Sequence, residues 1–480
     1  MSPKKQPYSL FNISVRKNIS LINSACHFLE KEYPESVFAE CETQALALNR
    51  FLMSMLPARL FGVLCSNRTS VQYNGDPRVQ LLVLSYPNMT TFRKCDIDNS
   101  IPHPFWLKIL TTFNNLKVLD LKFICTDEIL HIIGTNCPLL EDINIVSRVD
   151  ICKSHFNASV LIRNVSDEGI LSVAKLQNLK ILTMDPPRNE RVHKFGRCVS
   201  QAGIIRLISC LPELLELRID TCDIGTTLIS SKIEIGPLSL QKINCHFASG
   251  VGIRKLLTIC PNLKELSVTH LSENDKDAIM NEITASECNL TRLDLSFFTF
   301  THALHEMLVI KGQYLTHFSL WEIELSLTFD AILRIGSLCP NLNTLCIGTQ
   351  SPSLSIPRFF RKEEPLFTNL KVLTLGNGNF CIDSLLNFFM DCSNLQNLVL
   401  KYQSKKNIDE SLVRLLKKGY FREIKYLWFD CTLEVSKEVA MEIINVCKHL
   451  VTFTMDFGVN MPDFQKYIAD CNLDLKIGSY

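Results

Sequence analysis

The dominant pattern of the chain is a short apolar motif, Leu-x-x-Leu-x-Leu, in which x is mostly polar. Clear copies follow a cysteine, as in CPLLEDINI from Cys137 and CPNLKELSV from Cys260. The last two apolar positions alternate with polar ones, which predicts a short strand that buries one face. Between copies, segments such as TDEILHIIGTN have apolar residues at helical spacing, and Thr126 is placed to cap the helix that follows it. Each copy therefore predicts a strand followed by a turn and a helix.

The motif recurs at a regular interval along the chain. If the first apolar residue of each copy is taken as its anchor, the anchors are Met89, Leu116, Leu140, Leu179, Leu214, Leu240, Leu263, Leu290, Leu315, Leu342, Leu370, Leu395, Ile424 and Leu450. Their mean spacing of about 28 residues indicates a repeat architecture. One such unit cannot bury its own apolar edge, so the units are expected to stack on each other.

This pattern resembles the cysteine-containing subclass of leucine-rich repeats, which is common among F-box substrate receptors. The best match is TDEILHIIGTNCPLLEDINI at residues 126–145, and similar copies lie at residues 166–184 and 200–219. The resemblance implies an α/β leucine-rich-repeat solenoid of horseshoe shape, with a parallel concave sheet and convex helices. We expect residues 81–480 to form an array of about 14 repeats with a C-terminal cap.

The cysteines fit the repeat rather than a chemical site. Among the 20 cysteines, five stand three residues before an anchor, where a helix leads into a strand: Cys137, Cys260, Cys339, Cys392 and Cys447. A buried cysteine there acts as a compact hydrophobic side chain. The alternative is a metal or redox site, but the chain has no Cys-x-x-Cys pair and no histidines at ligand spacing from the cysteines. We therefore predict no metal and no cofactor.

Residues 1–80 lack the motif and form a separate N-terminal segment. Residues 9–33 and 41–64 predict two amphipathic helices, the second with a break near Pro57. One interpretation is a helical N-terminal cap for the repeats. Another is a degenerate adaptor-docking box, because F-box segments open with Leu-Pro and Leu56-Pro57-Ala58-Arg59-Leu60 resembles that opening. The sequence that follows, SNRTSVQYNGDPRVQ, departs from the F-box pattern.

The same segment also resembles a von Hippel–Lindau-type box, found in receptors for elongin-containing cullin ligases. Ser9 and Leu10 match its opening, whereas Ser14 and Asn18 replace a cysteine and an apolar residue of that box. Its cullin-contacting half is matched by Leu56, Pro57, Leu60 and Leu64. The resemblance implies that Leu10 inserts into a groove on the adaptor, and that the hydroxyl of Ser14 weakens this docking.

The polar positions of the strand motif predict an open sheet face that can bind a partner. Charges of both signs occur along it, which suits a protein partner better than phosphate or anionic lipid. Exposed aromatic residues on rigid strands are typical of binding hot spots, although packing on neighbouring side chains is the alternative. The contact residues predicted on this face are Arg292, Asp294, His317, Trp321, Lys401, Tyr426, Trp428 and Asp430.

Composition narrows the functional classes. Lys and Arg number 50 against 49 Asp and Glu, a balance without the basic footprint that nucleic-acid binding requires. Neither a secretory signal nor a membrane-spanning stretch is recognisable, so we expect a cytoplasmic or nuclear protein with reduced thiols. Catalytic signatures such as GxSxG, GxxxxGK and HExxH are missing from the sequence, so no enzyme is expected. The sequence favours the substrate-recognition subunit of a cullin-RING ubiquitin ligase, with a non-catalytic interaction scaffold as the alternative.

Overall fold

A computed structural model describes the chain in eighteen segments, and these fall into two compact units. One unit comprises Tyr8–Asn244 with Ile259–Pro261, and the other comprises Cys245–Thr258 and Asn262–Tyr480. The described residues are 10–33, 38–66, 73–93, 101–146, 165–184, 199–219, 223–230, 235–246, 248–270, 275–321, 328–348, 366–376, 392–401, 406–419, 421–430, 433–455, 461–470 and 476–478.

The first unit opens with four helices and continues as alternating strands and helices. The helices that precede the repeats are α1 (Leu10–Glu32), α2 (Phe38–Met55), α3 (Ala58–Ser66) and α4 (Pro77–Leu84). The repeats follow as β1 (Thr91–Arg93), α5 (His103–Leu110), β2 (Val118–Asp120), α6 (Asp127–Asn136), β3 (Asp142–Asn144), α7 (Asp167–Val173), β4 (Ile181–Met184), α8 (Gln201–Ser209), β5 (Glu216–Ile219), α9 (Ile224–Ser230) and β6 (Lys242–His246). Strands β1 to β6 pair in parallel in chain order.

The second unit repeats the same alternation. Its elements are α10 (Gly250–Ile259), β7 (Glu265–Thr269), α11 (Lys276–Ala285), β8 (Arg292–Ser296), α12 (His302–Lys311), β9 (His317–Trp321), α13 (Phe329–Leu338), β10 (Thr344–Gly348), β11 (Val372–Gly376), β12 (Asn397–Leu400), β13 (Lys406–Asn407), α14 (Asp409–Lys417), β14 (Tyr426–Phe429), β15 (Leu433–Glu434), α15 (Lys437–Val446), β16 (Thr452–Thr454), α16 (Met461–Asp470) and β17 (Lys476–Gly478). Strands β7 to β12, β14, β16 and β17 form a parallel sheet in that order. Strands β13 and β15 pair separately.

The core of each unit is built from the apolar positions of the motif. Each of the fourteen anchor residues is buried, with exposed fractions between 0% and 5%. In strands such as β7 and β8, buried residues alternate with half-exposed ones. One side of each sheet is therefore covered, and the other side stays open. The α/β leucine-rich-repeat solenoid predicted from the sequence is confirmed in both units.

In the first unit, a ladder of side chains at the helix N-termini ties neighbouring repeats together. Asp127, the first residue of α6, accepts hydrogen bonds from the backbone N–H and the hydroxyl of Ser166, at 2.8 and 2.6 Å. Asp167 binds Ser200 in the same way, at 2.6 Å in both contacts. Ser166 and Ser200 are also the N-caps of α7 and α8. Each of these serines thus caps its own helix and holds the preceding repeat.

Asparagines form a second ladder in the turns that lead into the strands. The side-chain amide of each donates to a backbone carbonyl of the preceding repeat, which satisfies an oxygen that the sheet leaves unpaired. The pairs are Asn178 with Pro138 at 2.9 Å, Asn341 with Gln313 at 2.8 Å, Asn369 with Pro340 at 3.1 Å and Asn394 with Thr368 at 2.8 Å.

The five cysteines before the anchors are buried free thiols, as predicted. Cys137 places its sulfur 3.3 Å from the carbonyl oxygen of Phe113 in the preceding repeat. Burial raises the pKa of Cys137 to about 11 and that of Cys339 to about 12. These two side chains therefore stay protonated at neutral pH and act as packing groups.

The N-terminal helices pack through apolar contacts and buried amides. The helix predicted at residues 9–33 and the break near Pro57 are confirmed, since α2 ends at Met55 and α3 begins at Ala58. Asn49 donates to the carbonyls of Val83 and Ser85, both at 2.7 Å, and thereby joins α2 to the end of α4. Within the described part of the chain, every helix is too short or too polar to cross a membrane.

The ladder of the first unit makes a prediction about Gly169, in the first turn of α7. Helix propensity alone predicts that Gly169→Ala stabilises the chain by up to about 1 kcal/mol. However, a Cβ at this position would lie 2.9 Å from Cγ of Asp127 and still closer to its carboxylate oxygen. We expect the free energy of unfolding to fall by about 1–3 kcal/mol instead, because Asp127 must move away from Ser166.

Urea denaturation followed by circular dichroism measures this change. Gly236→Ala is the matched control in the same unit, because no described atom lies within 4 Å of its added methyl group. An unfolding midpoint for Gly169→Ala at or above that of the unmodified chain would contradict the prediction.

Candidate functional site

The open face of the second unit is made of rows of side chains that pair across the sheet. The first row contains Arg292, His317, Thr344, Val372, Asn397 and Tyr426, which are register partners from β8 to β14. The second contains Asp294, Ser319, Cys346, Thr374, Val399 and Trp428, and the third contains Ser296, Trp321, Gly348 and Gly376. Lys401 and Asp430 directly follow β12 and β14 and are half-exposed. The open face therefore holds all eight predicted contact residues.

One end of the open face is an ion cluster. Asp294 lies between Arg292 and His317, with Oδ2 2.7 Å from Nε of the arginine and Oδ1 3.0 Å from Nε2 of the histidine. Burial acts to raise the pKa of Asp294, but the hydrogen bonds from His317 and Arg292 outweigh it and lower the pKa below its ordinary value. Asp294 is therefore ionised at neutral pH, and its two carboxylate oxygens accept hydrogen bonds from Arg292 and His317.

Trp321 lies flat across two neighbouring strands because both strands carry glycine beneath its ring. A Cβ at Gly376 would lie 2.7 Å from Cζ3 and 3.0 Å from Cη2 of the indole, and one at Gly348 would lie closer still. Only glycine leaves room for the ring at these positions. The indole stays half-exposed, so its outer face remains open to a partner. Trp321 therefore packs on the sheet with one face of its ring and exposes the other face to solvent.

The opposite end of the open face is aromatic and basic. The ammonium nitrogen of Lys401 lies 4.6 Å from the ring centre of Trp428, a cation–π contact. Tyr426, in the first row of the same strand, is 46% exposed. These aromatic side chains stand on backbone that is hydrogen-bonded on both sides, because β14 pairs with β12 and β16.

Between the two ends, the side chains on β10 and β11 are short. Cys346 is half-exposed there, and burial raises the pKa of its thiol above the ordinary value. Three strand spacings of about 4.8 Å separate β9 from β12, a distance of roughly 14 Å, and the ring of Trp321 covers part of this surface over Gly348 and Gly376. Among the described residues, no three His, Cys, Asp or Glu side chains are arranged to hold a metal ion. The face offers charge, aromatic area and hydrogen-bonding groups at fixed positions.

The predicted adaptor-docking residues differ in how far their side chains are exposed. Ser9 lies outside the described residues, and Leu10 begins α1, although its side chain is not among those described. Leu56 and Leu60 are half-buried and Pro57 is exposed. Leu64 is 0% exposed, so it belongs to the core of the first unit and offers no surface to a partner.

Other apolar side chains on the same helices, which the motif comparison missed, are exposed. Leu21 and Phe28 on α1 are 61% and 62% exposed, and Phe51, Met53 and Met55 on α2 are 57%, 41% and 65% exposed. Leu21 and Phe28 are seven residues apart and share one face of α1, away from the buried Ile19, Ile22 and Cys26. A helical-wheel plot would have separated these two faces from the sequence alone.

The geometry of Asp294 predicts a pH-dependent contribution to stability. Because folding lowers its pKa, the ionised carboxylate stabilises the folded chain above the ordinary pKa of 3.8, and this contribution is lost as the pH falls through the lowered value. Asp294→Asn is expected to reduce the free energy of unfolding at pH 7 by about 1 kcal/mol or more. The difference from the unmodified chain should shrink towards pH 3.

Denaturant titrations between pH 7 and pH 3 measure this difference. Asp330→Asn is the control, because that carboxylate is 67% exposed and pairs only with Arg334 on its own helix among the described contacts. A difference between Asp294→Asn and the unmodified chain that stays constant over this pH range would contradict the assignment.

Comparison with known proteins finds similarity among solved structures but no matching family. Neither the protein-family models nor the curated proteins give a match to this chain. Among solved structures, the chain is similar to the crystal structure of the Rad7 and Elc1 complex in yeast, with 13% sequence identity, 94% of each chain covered and a TM-score of 0.41. Identity and TM-score at this level assign the chain to no family.

Proposed function

We propose that this chain is a non-catalytic protein-binding protein whose target lies on the open face of the second unit. The observation that carries this proposal is the presentation of Trp321, Tyr426 and Trp428 on paired strands, together with charged groups at both ends of the face. Side chains held in this way lose little conformational entropy when a partner binds, so more of their contact energy contributes to affinity. Tryptophan and tyrosine are also the residue types that most often dominate interface energetics.

The open face does not favour catalysis. Asp294 and His317 resemble two members of a hydrolase triad, and Ser319 is the register partner of Asp294. However, Ser319 is only 4% exposed, so its hydroxyl does not face a substrate. A nucleophile must be both activated by its base and reachable, and this arrangement fails the second condition.

The proposal predicts that the double variant Tyr426→Ala, Trp428→Ala loses the target. We expect at least about a tenfold loss of the specifically bound protein, because both removed side chains stand on the exposed rows. The measurement is quantitative mass spectrometry of proteins captured from cell extract by the full chain and by the variant.

Tyr314→Ala is the control for this experiment. Tyr314 is 41% exposed, close to the 46% of Tyr426, but it lies in the turn before β9 rather than on the open face. Equal recovery of all captured proteins by the double variant and by Tyr314→Ala would rule out the open face as the target site.

We also propose a more specific function, in which the chain is the substrate-recognition subunit of a cullin-RING ubiquitin ligase. The N-terminal helices would then dock an elongin or F-box adaptor. Two features support this: the resemblance of Ser9-Leu10 and of Leu56-Pro57 to docking boxes, and the large apolar side chains exposed on α1 and α2. Exposed apolar side chains that share one helix face, as Leu21 and Phe28 do, are suited to an apolar groove on a partner. The alternative is a plain interaction scaffold, whose N-terminal helices only cap the repeats and recruit no adaptor.

The proposed role as a ligase subunit predicts which variants lose an adaptor. The full chain should recover elongin or the F-box adaptor from extract, and Leu10→Asp or the double variant Leu56→Asp, Leu60→Asp should lose it, because a carboxylate cannot enter an apolar groove without a large desolvation cost. Immunoblotting and mass spectrometry measure the recovery, and circular dichroism checks that each variant is folded.

Leu171→Asp provides the matched control, because Leu171 is 44% exposed on α7, outside the docking segment. Recovery of the adaptor by both docking variants would contradict the ligase function, and so would failure of the unmodified chain to recover any adaptor. Either result would favour the interaction scaffold.

A further inference from the structure

We infer that the open face binds a proline-rich segment of its target, held in the extended polyproline II conformation across strands β9 to β14. This inference rests on the proposed function and adds the chemistry of the partner to it. It draws on three observations: the spacing of the aromatic rings, the hydrogen-bond donors that they present, and the pairing of the strands beneath them.

Two aromatic surfaces lie on the open face at a distance that suits such a segment. The ring of Trp321 extends from β9 across Gly348 to Gly376 on β11. Trp428 belongs to β14, and β12 lies between β11 and β14, so two strand spacings of about 4.8 Å place it roughly 10 Å from β11. A polyproline II helix rises about 3.1 Å per residue, so one turn of three residues covers about 9 Å. Partner residues three positions apart can therefore contact both rings.

The surface between the two rings has short side chains and balanced charge. Thr374 on β11 and Val399 on β12 are register partners and are half-exposed there. Lys401 and Asp430 follow β12 and β14 at neighbouring register positions, so a positive and a negative side chain lie next to each other. Since neither sign of charge dominates among these described side chains, rings and hydrogen-bonding groups determine what binds here.

The aromatic residues present donors that the chain itself does not use. Among the described residues, the indole N–H of Trp321 and the phenol O–H of Tyr426 have no hydrogen-bond partner. The atoms of Trp321 nearest to the two glycines belong to its six-membered ring, so the indole N–H lies further from them. A partner that covers these donors must supply acceptors, because a polar group buried without a partner costs free energy.

A polyproline II segment supplies those acceptors. It has no internal hydrogen bonds, so its backbone carbonyls are free to accept, and proline has no backbone N–H that would need a partner of its own. Proline-rich segments also pack well on aromatic side chains, and their conformation is formed before binding, which reduces the entropy lost on association. Rings and donors on the open face thus meet rings and acceptors on the partner.

Other backbone conformations match the open face less well. A β-strand binds by joining a free sheet edge, but β9 to β12 and β14 are each paired with a neighbour on both sides. An α-helix uses its carbonyls internally except in its last turn, so its side chains would have to accept from Trp321 and Tyr426. The open face therefore favours an extended segment whose carbonyls are free.

Two phage-displayed libraries of 12-residue peptides, selected on the full chain, test this inference. One library carries proline at the fifth and eighth positions, the other carries alanine there, and the remaining positions are random in both. We expect binders at least about tenfold more often from the proline library, because alanine loses both the ring contacts and the preformed backbone. Fluorescence anisotropy measures the affinities of synthetic copies, and replacement of both prolines by alanine should weaken binding by about tenfold.

Trp321→Phe and Tyr426→Phe each remove one donor and keep an aromatic ring. Each should weaken binding of the selected peptides by roughly threefold to tenfold, because a backbone carbonyl of the peptide loses its donor. Tyr314→Phe is the matched control, because it also loses a hydroxyl, from a residue that is 41% exposed and lies in the turn before β9, off the open face. It is expected to bind the peptides as the unmodified chain does.

A benzophenone at the peptide N-terminus identifies the contacted residues by photo-crosslinking, and the outcomes then separate this inference from the proposed function. Peptides that crosslink to the open face but tolerate alanine at both fixed positions overturn the proline-rich partner and leave the binding function intact. Equal affinity for Trp321→Phe, Tyr426→Phe and the unmodified chain has the same meaning. Selections from both libraries that yield no peptide crosslinking to the open face overturn both proposals.

Discussion

The structure depends on one constraint, which is that a strand-and-helix unit of this size cannot bury its own apolar edge. Every anchor leucine or equivalent needs the next repeat beside it, and parallel pairing in register provides that neighbour. Cysteines at the entry to the strands, aspartates at the helix N-termini and asparagines in the turns all act across the same repeat-to-repeat boundary. The fold is thus held together by many similar local contacts between neighbours.

The same constraint produces the candidate binding surface. Stacking covers one side of each sheet and leaves the polar positions of the motif on the other side, at spacings fixed by the strands. In the second unit, these positions place on one face residues that are more than a hundred positions apart in the sequence, such as Arg292 and Trp428. A rigid frame of this kind allows a few side chains to define a specific binding site, as we propose for this face.

The sequence predicted the repeats and the direction of their side chains, because period and alternation are local properties of the chain. It also placed the N-cap at Thr126 correctly. It could not reveal that Trp321 rests on Gly348 and Gly376, since those glycines follow it by about one and two repeats and each looks like an ordinary strand residue. Likewise, a motif match assigned Leu64 to docking, but only the packing of the N-terminal helices shows that it is buried.

The hydrogen bonds between Asp127 and Ser166 have a consequence for the evolution of the first unit. These two residues are 39 positions apart in the sequence, yet their side chains meet in the same way as those of Asp167 and Ser200, which are 33 apart. The same Asp–Ser pairing of neighbouring helices therefore forms with either length of chain between the two residues. Extra residues can be gained or lost at this boundary without shifting the strands that follow, which makes it a place where new surface can be acquired while the old framework is kept.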